Sequence, residues 1–527
     1  MKKTKTYSRA ETICFKPEIN LCPHCGASLK QSHLAVNKYV FVLNQTKHII
    51  SYAYKCKNPA CPHPKQTYRS AQADLIALKH YQFGIDVIVA IGHQHFIEHK
   101  PLDEIKPTLG NLQISRAEIY LLTQVYLALT QASSKQTTPK IEQMKKNGGI
   151  LLALDGVQPE KGNQTLWILR DQLTNTTLLA QNLQTADKTS IAKLIQTIKK
   201  LGVPIIGVIS DGQKALRAAV KQELPDVRHQ LCQFHFLRNI AKPIADLDRA
   251  LKVELKKMLH GINKIENQAA KTNDKQNQII LKYCQMLRFA LQDDAKYPLS
   301  PAGIKLYTRL QIIKQSLLQN QTTQTHTLLS ALLDKLASLE DFESQYRRIR
   351  RLYALVHRAT NILNQNAPRA IVEAQMHQFF CRVAKAYKRY PKDREILGNM
   401  LKFLASHWSG LFHHYDLALI PRTNNDLERF IRSLKVSCRK ISGRASTQSY
   451  ILRYGAYVAL FEAELSLEVV VGRFGRVGYG LFVGCYAPLV AFRAAGSFKR
   501  KLALDFKGAV GALGVEWSQA NNARSKQ

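Results

Sequence analysis

Between Gly149 and Glu223 the chain carries two short apolar runs, each closed by an aspartate and a glycine. The first is Ile150-Leu151-Leu152-Ala153-Leu154-Asp155-Gly156. The second is Pro204-Ile205-Ile206-Gly207-Val208-Ile209-Ser210-Asp211-Gly212. Unbroken apolar runs of this length, stopped by a glycine turn, predict strands of a sheet covered on both faces. Open α/β sheets hold ligands beyond the carboxyl ends of their strands. Asp155 and Asp211 are therefore candidate ligands for a shared divalent cation. Asp-Gly is also an ordinary turn dipeptide, and one such aspartate alone would be explained as well by the turn. Two of them in one sheet domain favour the metal.

The flanking sequence fits that sheet. Thr165–Leu169 and Thr176–Ala180 read as strands around a turn at Asn175. Thr189–Leu201 reads as a helix with Ile191, Leu194, Ile195 and Ile198 at helical spacing, and a second helix spans about Gln213 to Leu224. The order over residues 147–240 is three strands, helix, strand, helix. His229–Phe236 follows as a strand or helix start, with Cys232 and His235 in C-x2-H spacing. A lone Cys-His pair cannot fill a zinc site, and spacing alone favours a core or hydrogen-bonding role.

Residues 241–410 are helical in pattern and rich in Gln, Lys and Arg. Recurrent apolar spacing marks Leu251–Leu259, Ile279–Leu291, Leu306–Leu318, Thr325–Leu339 and Tyr346–Asn364. Their cations form either a DNA channel or a solvated face. A third acid then appears in Arg422-Thr423-Asn424-Asn425-Asp426-Leu427-Glu428-Arg429-Phe430, within a segment 411–465. Thr423 suits a helix cap and Asp426 the first turn. Leu427, Phe430, Ile431 and Leu434 mark the buried face, with Glu428 at its rim. Arg429, Arg432, Lys435, Arg439 and Lys440 surround Glu428. Composition leaves it open whether Glu428 is a surface ion-pair partner or a metal ligand beside a phosphate path.

The two ends have other characters. Residues 1–70 hold Cys22-x2-Cys25 and Cys56-x4-Cys61 around β-forming sequence, which predicts a zinc ribbon with one structural ion. His24 and His63 lie close enough in sequence to substitute for a thiol, while Cys14 stands outside the pattern. Residues 71–138 read as helices: one from Gly84, a short one over Pro101–Leu109, and a third opened by the box Ser115-Arg116-Ala117-Glu118. Short helix, turn, longer helix is a helix-turn-helix candidate for DNA binding, and a plain helical linker explains it equally. Gln131–Thr138 reads as a polar linker. Residues 466–527 break with the body: Gln nearly vanishes and nine glycines fall between Gly472 and Gly514. This tail is expected to pack poorly and to be dispensable.

Charge narrows the partners. Lys and Arg number 76 against 38 Asp and Glu, a formal net charge of +38 over 527 residues. Such an excess favours a polyanion bound through phosphate contacts. No apolar h-region follows Met1-Lys2-Lys3, and the longest uncharged apolar stretch, Val477–Phe492, is short for a membrane span. The expectation is a cytoplasmic, nucleoid-associated protein with no membrane partner, in which ten cysteines serve metal or core rather than disulfides.

Taken together, the Leu-Asp-Gly and Ser-Asp-Gly strands, Cys232-x2-His235, Thr423-Asn424-Asn425-x-x-Glu428, its basic helix and Ser442-Gly443-Arg444 resemble the DDE transposases of bacterial insertion sequences, near the Mutator-like group. The matched stretches, 147–235 and 415–460, make up about a quarter of the chain. The resemblance implies a multidomain α+β protein. Its RNase H-like mixed α/β catalytic domain would be interrupted by a large all-helical insertion, behind the zinc ribbon and the helical DNA-binding region. It implies that Asp155, Asp211 and Glu428 hold two Mg²⁺ or Mn²⁺ ions. Cys232 and His235 would then belong to the active-site region. Arg429, Arg432, Lys435, Arg439 and Lys440 would lie along DNA. Double-stranded DNA, both element ends and target, would be the partner of a homo-oligomer. Two rival readings keep the same sequence features: a DNA-binding regulator with a decayed nuclease domain, and a nuclease that does not join strands.

Overall fold

The computed structural model describes residues 10–136, 140–158, 162–272, 274–292, 295–320, 326–462 and 465–524. The protein is mixed α/β and mostly helical, and it divides into two compact units. The first unit comprises residues 1–150, 154–204 and 426–527. The second comprises 151–153 and 205–425.

The first unit begins with a four-stranded sheet of β1 (Glu11–Phe15), β2 (Leu29–Phe41), β3 (Thr46–Cys56) and β4 (Thr67–Tyr68). β2 and β3 form an antiparallel hairpin running from Leu29↔Cys56 to Phe41↔Thr46, β1 pairs parallel with β3, and β4 caps the far end of β3. The core beneath it is small, built on Val40, Ile49, Ala73 and Ala77. A domain with so little apolar burial needs another source of stability.

Short helices at Gln72–Ile76 and Leu102–Ile105 accompany two long ones, Ile85–Phe96 and Arg116–Gln136. The second opens on the expected capping box: the Ser115 amide donates to Glu118 Oε2 at 2.8 Å, and the Glu118 amide donates to Ser115 Oγ at 3.2 Å. Helix Arg116–Gln136 buries Thr123 through Leu129 without a break. A stretch buried on every side cannot enter a DNA groove, so any groove contact from this helix would have to come from its two ends, where Arg116, Glu118 and Lys135 are exposed. The helix also runs through Gln131–Gln136, where a linker was expected; residues 137–139 lie outside the described residues.

The central sheet has five strands in the order β7–β6–β5–β8–β9, with β5 Ile150–Val157, β6 Thr165–Asp171, β7 Thr176–Leu183, β8 Ile205–Ser210 and β9 His229–Leu231. β5 divides between the units: Leu151–Ala153 group with the second, and Leu154–Val157 with the first. β6 and β7 are antiparallel, and Asn175 takes the left-handed turn conformation between them at φ 53°. β8 and β9 are parallel. Helix Lys188–Lys199 buries Ile191, Leu194, Ile195 and Ile198 as their spacing predicts, and Asp187 caps it by accepting from the Ser190 amide at 2.7 Å.

The second unit is a helical body. Helices Gln233–Met258, Ala302–Gln319, Glu343–Leu363, Arg369–Arg389 and Arg394–His407 share one apolar core with Phe236, Tyr307, Phe379 and Phe412 fully buried. The expected helical segments are present. The one placed at Thr325–Leu339 is described from His326, with helix over Thr327–Leu336, and Arg369–Arg389 had no counterpart in the sequence reading.

The tail corrects its expectation. Residues Leu467–Gly475, Tyr479–Leu504 and Phe506–Arg524 are helices. Phe474, Val477, Phe482, Cys485 and Leu489 are buried within the first unit. The Phe482 ring meets Tyr81 edge-on at 5.8 Å, and the Tyr457 hydroxyl donates to the Cys485 carbonyl at 3.2 Å. Positions 482, 485 and 489 make one helical face, a signal that glycine content hides. Among the described residues, Tyr479–Leu504 is the one helix long and apolar enough to cross a membrane. Its most buried side chains face protein.

Candidate functional site

The cysteine knuckles meet. The Sγ atoms of Cys22, Cys25, Cys56 and Cys61 all lie within 4.8 Å of one another, with Cys22–Cys61 at 3.8 Å and Cys25–Cys56 at 3.4 Å. Three of the four are buried. The first knuckle is closed by the Gly26 amide donating to the Cys22 carbonyl, with Gly26 at φ 71°. Burial pushes the Cys22 thiol up, but the backbone N–H groups of His24 and Cys25 outweigh it and bring Cys22 down to about 6. Cys56 receives one lowering N–H, from Asn58, yet burial and the thiols of Cys25, Cys61 and Cys22 raise it to about 12. One thiolate forms readily and opposes the next, the electrostatics of a site built around a cation. His24 Nε2 donates to the Gln66 amide oxygen at 3.0 Å and the ring packs on His63, so neither imidazole replaces a thiol in this cluster. Cys14 is exposed and apart.

The acids are placed as follows. Asp155 lies within β5 rather than at its end, because the strand continues through Gly156 to Val157. Its Oδ1 accepts from the Gly156 amide at 2.8 Å. A Cβ on Gly156 would come within 3.0 Å of the Thr165 methyl and 3.2 Å of the Trp167 ring, so packing against β6 favours glycine there. Glu428 is on helix Asn425–Ser442, whose buried face is Leu427, Ile431, Leu434 and Cys438. Phe430 is only half-buried and lies under the Arg170 guanidinium at 3.7 Å. Arg429, Arg432, Lys435, Arg439 and Lys440 are all exposed, a basic outer face.

Asp211 belongs to the second unit, one residue past β8. Its Oδ1 accepts from the Gln213 amide at 3.1 Å, a turn that launches helix Lys214–Glu223. Gly212 is left-handed at φ 82°, and a Cβ there would lie 3.1 Å from His407 Nε2. Burial and the nearby Arg217 charge push His407 down, with the Asp211 carboxylate acting the other way. Beside it the Ser210 hydroxyl bonds His229 Nε2 at 2.7 Å.

Cys232 has a definite structural place. Its amide donates to the Ser210 carbonyl at 2.7 Å, and its Sγ accepts from the Asn424 amide at 3.4 Å. The Gln233 amide donates to the Arg422 carbonyl at 3.0 Å. The start of helix Gln233–Met258, which carries His235, is thereby tied both to the end of β8 and to the Arg422–Asn424 segment. Asn424 is fully buried, and the Arg422 guanidinium donates to the carbonyls of Asn364 and Gln365 at 3.1 and 3.0 Å. The sequence reading missed Arg422, Asn424, Ser210, His229 and His407 as supports. Their signal was adjacency to the motifs, and only the fold shows what they touch.

Two transposase families match the chain. Transposase, Mutator family matches residues 177–297, the stretch with Asp211, Cys232 and His235. Transposase IS66 family matches residues 331–450, the stretch with Glu428 and its basic helix. The chain is similar to insertion-sequence transposases of Mutator-like type. No curated protein matches it. A transposase role, a DNA partner and a general DNA-processing enzymatic activity follow at that level. The Mutator type was expected from the motifs, and the IS66 match over residues 331–450 adds a second family to it.

Proposed function

We propose that the chain cuts DNA strands at the ends of a mobile element and joins them to target DNA, with Asp155, Asp211 and Glu428 as ligands for two Mg²⁺ or Mn²⁺ ions. The observation that carries this reading is the fall of the two transposase matches on the segments bearing Asp211 with Cys232 and His235, and Glu428. The strand order β7–β6–β5–β8–β9, antiparallel on one side and parallel on the other, supports an RNase H-like core, with the helices of the second unit as its insertion.

Three carboxylates are the hard oxygen donors that Mg²⁺ prefers. Bound there, the ions supply activation of the attacking oxygen and charge stabilisation of the leaving one. In each step a water or 3′-hydroxyl oxygen bonds to phosphorus, and the bond from phosphorus to the departing strand's oxygen breaks. Asp155 and Asp211 are each fixed by a backbone N–H bond to the carboxylate, which orients them before a metal arrives. Arg429, Arg432, Lys435, Arg439 and Lys440 give the glutamate helix an exposed cationic face suited to the phosphate backbone. Cys232 serves this region through the anchoring of Asn424, and His235 lies on the helix that Cys232 opens. At the other end, four thiols within 4.8 Å fit one tetrahedral Zn²⁺. Two ends must be processed together, so the working species is a homo-oligomer on DNA, acting in the cytoplasm.

The test is incubation of the full chain with duplexes carrying the element's ends and Mg²⁺, with products read on a sequencing gel. Cleaved and joined strands are expected. Cleavage without joining would identify a nuclease. Binding without cleavage would identify a regulator.

A further inference from the structure

A groove in the second unit has no role in the reading above. It encloses about 570 Å³ between helix Lys214–Glu223 and the turn Ser409–His413, with β9 as its floor. Lys214, Arg217 and Lys221 line it from the helix, and Arg228 lines it from the approach to β9. Spacings of three and four residues put the helical three on one face. They span about 10 Å along the axis, at about 1.5 Å per residue. Asp226 is the one acid in the lining.

The charge is uncompensated. None of the four cations makes an ion pair among the described residues, and Arg217 spends one nitrogen on the Ser406 carbonyl. A second cavity of about 580 Å³, lined by Arg348 and Arg351, is different: both guanidiniums are held on Asp393 at 2.6 Å. The imidazoles in the groove register the excess. Burial, His413 and Arg217 push His229 down to about 3, and burial with Arg369 and Arg228 lowers His413.

We infer that this groove binds the phosphate backbone of a DNA strand. A row of cations about 10 Å long spans about three phosphates at about 3.4 Å of axial rise each. The choice of DNA as the polyanion rests on the transposase reading; the groove's preference for successive phosphates rests on its own geometry.

The experiment measures affinity of the full chain for a duplex of arbitrary sequence over a salt series. Lys214→Gln with Lys221→Gln removes two exposed groove cations, and Lys256→Gln with Lys264→Gln removes two exposed cations elsewhere in the same unit. The groove variant is expected to flatten the slope of log K against log salt by about 1 to 2, near 0.9 per lost contact. The control is expected to change it by less than half as much. An unchanged slope, or equal flattening by both variants, overturns the inference. Should the groove variant fail to fold, Asp226→Asn decides: several-fold tighter binding supports the groove, and unchanged or weaker binding overturns it. Cleavage is scored separately. A chain that binds through the groove and never cuts removes the functional reading alone. A chain that cuts with its slope indifferent to the groove removes this inference alone.

Discussion

The two ends of the chain both build the first unit, and they do so by opposite means. The ribbon at residues 11–68 has four convergent thiols and a small apolar core that it shares with Ala73 and Ala77. The tail from Leu467 contributes to no metal-ligand cluster among the described residues, and it buries Phe474, Val477, Phe482, Cys485 and Leu489. The ribbon's logic is local: ligands three residues apart in one pair and five in the other, brought together by one hairpin. The tail's logic is remote: its apolar face acquires meaning only against Tyr81 and helix Arg116–Gln136, laid down hundreds of residues earlier. Local logic is legible in sequence, and remote logic is not.

The largest effect is expected from cutting the chain after Leu465. Loss of a buried Phe costs about 3–5 kcal/mol by itself, and this truncation removes two with three further buried side chains. The product is expected to be insoluble or to melt without a cooperative first-unit transition in calorimetry. A folded, soluble product would return the tail to the dispensable class and break the comparison.

A smaller, local effect is expected at the ribbon. Cys25→Ser removes one of four ligands, and the protein should lose its one zinc per chain in elemental analysis. Residues 11–68 should lose amide-exchange protection while the second unit keeps its own. Because Cys56 sits at about 12 when metal-free, zinc binding at neutral pH must displace protons. Acid therefore competes with the metal, and zinc should be lost as pH falls through and below about 6, where Cys22 also protonates. Retained zinc in Cys25→Ser would show that another group, such as His24, completes the site.

The smallest effect sharpens the boundary of the tail. Phe506 and Trp517 are 69% and 70% exposed, so removing residues 505–527 forfeits little buried area among the described residues. The melting temperature should move by no more than about 1 °C, since about 0.5 kcal/mol or less shifts a protein of this size by no more than that. A large drop would mean that this helix is covered in the working protein.

The same division explains what was readable at the acids. Apolar runs closed by Asp-Gly marked β5 and β8, and Thr423-Asn424-Asn425 marked the glutamate helix; these are local periodicities. The strand boundary at Asp155 was not readable, since β5 runs on because Gly156 lets Trp167 pack close. The place of Cys232 was not readable either, because its partner Asn424 lies 192 residues away. Phe430 stays only half-buried with Arg170 stacked on its ring, a contact between elements no window of sequence contains.

The central claim is that Asp155, Asp211 and Glu428 hold the metal that drives strand cleavage. Asp155→Asn, Asp211→Asn and Glu428→Gln each keep shape while removing a ligand's charge, so folding and DNA binding should persist. The direct measurement is the single-turnover cleavage rate of each variant in Mg²⁺ against the unaltered chain. The account predicts a loss of at least about 10³-fold for every one, the consequence of several kcal/mol of lost metal-assisted stabilisation. Cleavage at the unaltered rate by Glu428→Gln would contradict it.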